Sequence, residues 1–309
     1  MEQTDQRVMP SLQFFFFRSM MPFLKVAQAR FRVQDIDTLV RFRERSERQA
    51  DMLVSLPRRV RLENTKIGGV TCDWLIPQDA QDDPVIVFLH GRGIFFGWSN
   101  PNRRILAYIA KFSGVRAFGV DYRLPPNHCY PSAHDDCFTV YQTLVQQGKQ
   151  IVLIGESSGG VLALAALLRA KAADLAQPSH CVLISPTVNY GFKDTRIWNS
   201  DDLFGNPRFI IELHKHYLAG NDTRSPDLGP VYADFSGLAP LQVLVTEHDI
   251  LQGEAERLAK AARRHDLPME LTLWPHVWHG WHLFVPQLPE ATRALKMLGG
   301  VIRQRTGNQ

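Results

Sequence analysis

Fourteen residues, Ile151-Val-Leu-Ile-Gly155-Glu-Ser157-Ser-Gly159-Gly160-Val-Leu-Ala-Leu164, constrain the fold of this chain more than any other stretch. An apolar run of β type stops at a glycine and resumes as an Ala/Leu-rich helical pattern, which reads as strand, tight turn and helix. The turn carries Gly-x-Ser-x-Gly. In that motif a serine is forced onto a sharp strand-to-helix turn that exposes its hydroxyl at the end of a sheet. Ser157 is therefore the candidate nucleophile.

The rest of the chain supplies the sheet that such a turn needs. Val85–Leu89 is a continuous apolar run, the pattern of a strand buried on both faces. Strands at 115–120, 151–154, 181–184, 241–246 and 269–274 alternate with helical patterns near 103–112, 133–147, 159 onward, 254–265 and 290–303. This alternation predicts a doubly wound, mostly parallel α/β sheet. A hairpin around Gly68-Gly69 leads into it. Residues 1–55 read as helical and precede any strand signal. Thr187–Leu228 interrupts the rhythm and reads as an insertion over the carboxyl edge of the sheet, with a helix starting at Asn206-Pro207.

Composition narrows the function. With 309 residues and 45% hydrophobic content a large core is available. A net charge of +4 without a block of like charges predicts no nucleic-acid partner. Cys72, Cys129, Cys137 and Cys181 lack C-x-x-C spacing, which points to reduced thiols, a cytoplasmic setting and no metal site. Phe14–Phe17 and Met20–Leu24 are interrupted by Arg18 and Lys25, too short to span a bilayer and without a cleavage site. They predict an amphipathic helix that covers an apolar pocket of its own protein rather than a membrane.

A serine attacks only when a base takes its proton and an acid orients that base. The chain order for this turn is Ser, Asp/Glu, His. Asp249 follows the strand 241–246, and His279 lies in the loop after the next strand, beside Gly280. His276 and His282 flank it, but no carboxylate or thiolate in that stretch completes a metal set. The loop His90-Gly91-Arg92-Gly93 follows Val85–Leu89 and, with the N–H of the residue after the nucleophile, is the expected source of oxyanion donors. As a dinucleotide fingerprint, Gly91-x-Gly93-x-x-x-Gly97 fails, because its third glycine comes one residue late.

These residues resemble the bacterial hormone-sensitive-lipase-like carboxylesterases of the α/β-hydrolase fold. His90-Gly-Arg-Gly93 with Ile-Phe-Phe-Gly97 is similar to that family's H-G-G-G-F-x-x-G, and Asp121-Tyr-Arg-Leu-Pro-Pro126 to its D-Y-R-L-A-P-E. Tyr130-Pro-Ser-Ala-His-Asp-Asp136, Gly155-Glu-Ser-Ser-Gly-Gly160, Thr246-Glu-His-Asp-Ile-Leu251 and His279-Gly-Trp281 follow in the family's order. The resemblance implies a triad of Ser157, Asp249 and His279, with oxyanion donors at Arg92, Gly93 and Ser158. It also implies a cap built from an N-terminal helical segment and an inserted one, here 1–55 and about 187–228, on a catalytic domain of 56–309. Three positions depart from the pattern: Arg92 replaces a glycine, Asn127 a glutamate and Glu156 an aspartate.

Phe95, Phe96, Trp98, Trp198, Phe209, Tyr217 and Trp281 are candidate walls of a substrate pocket. The expected function is a serine carboxylesterase acting on small-molecule esters of short to medium chain, without cofactor. A membrane-associated lipid hydrolase, a lactonase and a non-catalytic binder on the same fold stay open, as does the oligomeric state, a homodimer included.

Overall fold

The computed structural model describes residues 3–5, 9–29, 36–53, 55–192, 202 and 207–307. Its nine strands are β1 (Gln3–Asp5), β2 (Val60–Ile67), β3 (Val70–Pro77), β4 (Val85–Leu89), β5 (Arg116–Val120), β6 (Ile151–Glu156), β7 (His180–Ile184), β8 (Leu241–Thr246) and β9 (Met269–Trp274). They form one sheet in the order β1-β9-β8-β7-β6-β4-β5-β3-β2. Pairing is parallel from β1 to β5 and antiparallel at β5–β3 and β3–β2. This is the α/β-hydrolase arrangement.

Alternation along the strands divides the core in two. In β4, Val85, Val87 and Leu89 enter one cluster while Ile86 and Phe88 enter the other; β6 repeats the split with Ile151 and Leu153 against Val152 and Ile154. Successive side chains point to opposite faces, so a run that is apolar throughout must be covered twice. On the first face lie α4 (Ser132–Gln146), α5 (Gly159–Ala172) and α7 (Gln252–Arg264). On the second lie α3 (Asn100–Ser113) and α8 (Pro289–Thr306).

The N-terminal segment departs from the sequence reading in one respect. Gln3–Asp5 is a strand that pairs in parallel with β9 at the sheet edge. Three residues are too few to carry a period, so only the waiting edge of β9 reveals it. Two helices follow. Of these, α1 (Leu12–Ala29) leans on α8 through Phe14, and α2 (Ile36–Leu53) lies against the loops after β4 and β5, where Arg43 donates to the Phe95 and Pro125 carbonyls at 3.1 and 2.9 Å. The described part of residues 187–228 contains α6 (Pro207–Leu218).

Candidate active site

Ser157 sits between β6 and α5 with φ +50°, a left-handed conformation that costs a non-glycine residue energy. Backbone hydrogen bonds hold it there. Ser157 N–H donates to Ile184 O at 2.9 Å, and Ser157 O accepts from Gly160 and Thr187 N–H, both at 2.9 Å. Gly159 is sterically required, since a Cβ there would lie 2.1 Å from Leu89 O.

The Ser157 hydroxyl lies 3.0 Å from His279 Nε2, and His279 Nδ1 lies 2.9 Å from Asp249 Oδ1. A carboxylate only accepts, so Nδ1 carries a proton, and in the neutral imidazole Nε2 is left as the acceptor facing Ser157. Asp249 also accepts from Ser185 Oγ at 2.5 Å and Leu251 N–H at 2.8 Å. Burial alone would raise the Asp249 carboxyl, but the imidazole and these donors hold it below its ordinary range. Burial likewise pulls His279 down, yet the Asp249 charge and hydrogen bond outweigh it and lift the imidazole to about 9.

Asp202 gave no signal in the sequence. It is buried, and its Oδ2 accepts from His279 N–H at 2.7 Å and from Ile250 N–H at 3.2 Å. One carboxylate thus ties the loop carrying His279 to the loop carrying Asp249.

After β4 the chain passes through Arg92, Gly93 and Ile94 with φ of +64°, +69° and +52°. The residues on either side of Ser157 clamp this turn. Glu156 Oε2 accepts from Gly91 N–H at 2.8 Å, and Ser158 Oγ accepts from Ile94 N–H at 2.9 Å. Between those fixed points lie the N–H groups of Arg92 and Gly93; among the described residues neither of them, nor Ser158 N–H, has a protein acceptor. Consecutive N–H groups in such a turn form an anion-binding concavity. Glu156 Oε1 is itself 3.2 Å from His282 Nε2, both side chains being buried.

Ser158→Ala removes the acceptor for Ile94 N–H and leaves every backbone donor in place. Under the oxyanion role that the family resemblance implies for this turn, we expect kcat for a nitrophenyl ester to fall about tenfold with KM nearly unchanged, because a loosened turn then costs transition-state rather than ground-state contacts. Steady-state kinetics decide it; a raised KM with intact kcat would move Ser158 to the acyl pocket.

The Arg92 guanidinium donates to Ser99 Oγ at 2.6 Å and lies 5.0 Å over the Phe96 ring. Burial lowers its basicity and the nearby Glu47 carboxylate of α2 partly restores it. Only its backbone belongs to the donor turn.

The aromatic candidates separate into groups. Phe95 and Phe96 are buried with Leu39 of α2 and Leu213 of α6, and Phe209 packs against them. Leu213 lies directly over the donor turn, since a Cβ on Gly93 would be 2.9 Å from its Cδ1. Trp98, Tyr217 and Trp281 pack in the two core clusters. The Trp98 indole donates to Asp73 Oδ2 at 2.7 Å beneath α3, Tyr217 stacks on His134 with its hydroxyl 2.7 Å from Nδ1, and Trp281 is fully buried 6.3 Å from Trp274. Each has its surface covered by packing. Trp198 lies outside the described residues. Among the described residues no group of three His, Cys, Asp or Glu side chains is arranged to hold a metal ion.

The profile of the alpha/beta hydrolase fold matches residues 86–283. An acetyl-hydrolase of Streptomyces hygroscopicus is 30% identical over 248 residues, covering 78% of this chain and 82% of that protein. An esterase of Acinetobacter venetianus is 31% identical over 242 residues, 76% of this chain and 80% of its own. Among solved structures, an esterase from the bacterial hormone-sensitive lipase family superposes with a TM-score of 0.86 at 28% identity, covering 97% of this chain and 100% of that one.

Proposed function

The chain belongs to the alpha/beta hydrolase family, among the bacterial hormone-sensitive-lipase-like esterases, and from that membership we propose a serine carboxylesterase acting on uncharged esters of short to medium acyl chain. The observation that carries this reading is the unbroken line Ser157 Oγ, His279 Nε2, His279 Nδ1, Asp249 Oδ1, with contacts of 3.0 and 2.9 Å in a buried setting.

In this reading His279 takes the Ser157 proton as the hydroxyl oxygen attacks the ester carbonyl. Asp249 stabilises the imidazolium, and the N–H groups of Arg92, Gly93 and Ser158 hold the developing oxyanion. The C–O bond to the alcohol breaks as His279 returns the proton to the leaving oxygen. Water then attacks the acyl-serine by the same route, releasing acid and free enzyme. We assign α2 and α6, from the N-terminal and 187–228 segments, to a cap over the carboxyl edge of the sheet, with Phe209 packed on Phe95 and Phe96 beneath it; this limits the acyl chain. Four free cysteines, three of them buried, favour a cytoplasmic setting.

The test is hydrolysis of p-nitrophenyl acetate, butyrate and octanoate before and after a stoichiometric sulfonyl fluoride. Turnover falling at octanoate, abolished by one adduct mapped to Ser157, is expected. No turnover, or an adduct on another residue, overturns the proposal.

A further inference from the structure

The run Phe14-Phe15-Phe16-Phe17 is divided by its own helix. Phe14 is buried beside Trp278 at 6.0 Å between ring centres, and Phe17 packs on Phe284 at 5.0 Å. Ser11 fastens the start of the helix to α8, its N–H and hydroxyl donating to the Glu290 carboxylate at 2.7 and 2.9 Å. So part of α1 does cover its own protein, as the sequence reading expected. The other part does not.

At 3.6 residues per turn, Leu12, Phe15, Phe16 and Met20 fall at i, i+3, i+4 and i+8, on the face turned away from α8. They are 85%, 56%, 62% and 46% exposed. With Met9 they make five of the eight large hydrophobic side chains that stand exposed among the described residues. An apolar stripe of this kind marks a surface that meets another phase or partner.

Charge selects the occupant. Between Asp5 and Asp35 the sequence carries Arg7, Arg18, Lys25, Arg30 and Arg32 and no Asp or Glu, and Arg18 is the one of these whose side chain the structure describes. A second copy would bring the same positive segment against this one, which disfavours self-association. An anionic surface offers the complement, and basic residues beside exposed Phe and Leu are the composition of helices that lie in a bilayer interface. No described helix is long and apolar enough to cross a membrane.

We propose that the outward face of α1 is a peripheral anchor that seats Leu12, Phe15, Phe16 and Met20 in the interface of an anionic phospholipid bilayer. The anchor adjoins the chemistry: Phe14 touches Trp278, the neighbour of His279. Esters partitioned into the bilayer would then meet the enzyme where they dissolve.

The experiment is co-sedimentation of the full chain with vesicles of phosphatidylcholine alone or mixed with phosphatidylglycerol, at low and high salt, for wild type and the Phe15→Ser/Phe16→Ser double variant. Both side chains are exposed and outside the catalytic machinery, so the variant should keep its circular dichroism and its hydrolysis of water-soluble p-nitrophenyl acetate. The wild type is expected to pellet with the anionic vesicles, to be released in part by salt, and to stay in solution with phosphatidylcholine. The double variant is expected to bind about tenfold less. A wild type that stays in solution with anionic vesicles overturns the proposal, as does a double variant that pellets equally. A wild-type dimer that dissociates in the double variant, without vesicle binding, assigns the face to a second copy and overturns it too.

Discussion

Replacing Ser157 with alanine is expected to lower kcat for p-nitrophenyl butyrate by about 10⁴-fold or more while KM stays within about threefold. The change deletes one oxygen. Alanine keeps the Cβ and therefore the strain at φ +50°, and the bonds that hold the turn, from Ser157 N–H to Ile184 O and from Gly160 and Thr187 N–H to Ser157 O, belong to the backbone. The proposed donors at Arg92, Gly93 and Ser158 persist, so on that reading substrate still binds and some stabilisation of charge survives. Ser157→Gly would relieve the strain and change stability as well, which makes alanine the cleaner probe. Turnover close to wild type would remove Ser157 from the nucleophile's role.

Asp249→Asn is expected to produce a loss that depends on pH. In the wild type His279 must be neutral to act, and its imidazole stands at about 9, so kcat/KM should climb about tenfold per pH unit towards that value. In the variant the amide oxygen takes the place of Oδ1, because Leu251 N–H and His279 Nδ1–H both require an acceptor there. The Ser185 hydroxyl, which donates to Oδ2 in the wild type, can turn to accept the amide N–H. The tautomer of His279 is thereby kept and only the charge is lost. Burial then acts unopposed by Asp249, and the imidazole falls by a wide margin. At about pH 9 the variant should be slower by about 10²- to 10³-fold, since the imidazolium in the transition state lacks its counter-charge. Near pH 6 the wild type is mostly protonated and the deficit should shrink to within about tenfold. Parallel pH profiles of kcat/KM check this. A deficit of the same size at every pH would mean that Asp249 does not set the protonation of His279.

What the sequence could reveal depended on how local its cause was. β4, β6 and β8 are readable because each is buried on both faces and leaves an uninterrupted apolar run. The turn at Ser157 is readable because glycines are demanded on both sides of it within five residues. Asp202 is not, for it acts on backbone N–H groups 48 and 77 residues away, and no periodicity reports such a contact. The strand Gln3–Asp5 is defined by its partner rather than by its own residues. For Trp98, Tyr217 and Trp281 the sequence is silent for another reason: an aromatic beside a cleft and one in the core look alike in sequence. Only the Asp73 acceptor, the His134 ring and the Trp274 neighbour separate them.

The two clamps from Glu156 to Gly91 and from Ser158 to Ile94 have a consequence for how such a protein can change. The attacking atom and its proposed oxyanion donors are tied together by the immediate chain neighbours of Ser157, so their spacing is inherited through covalent adjacency. Leu213 of α6 lies over Gly93 of that unit, and Leu39 of α2 and Phe209 pack with Leu213, Phe95 and Phe96 around it. Substitutions there can reshape the room left for an acyl group without respacing the atoms that break the bond. On the proposed function, substrate preference and intrinsic rate are thus held by separate sets of residues, and the first can drift while the second stays fixed.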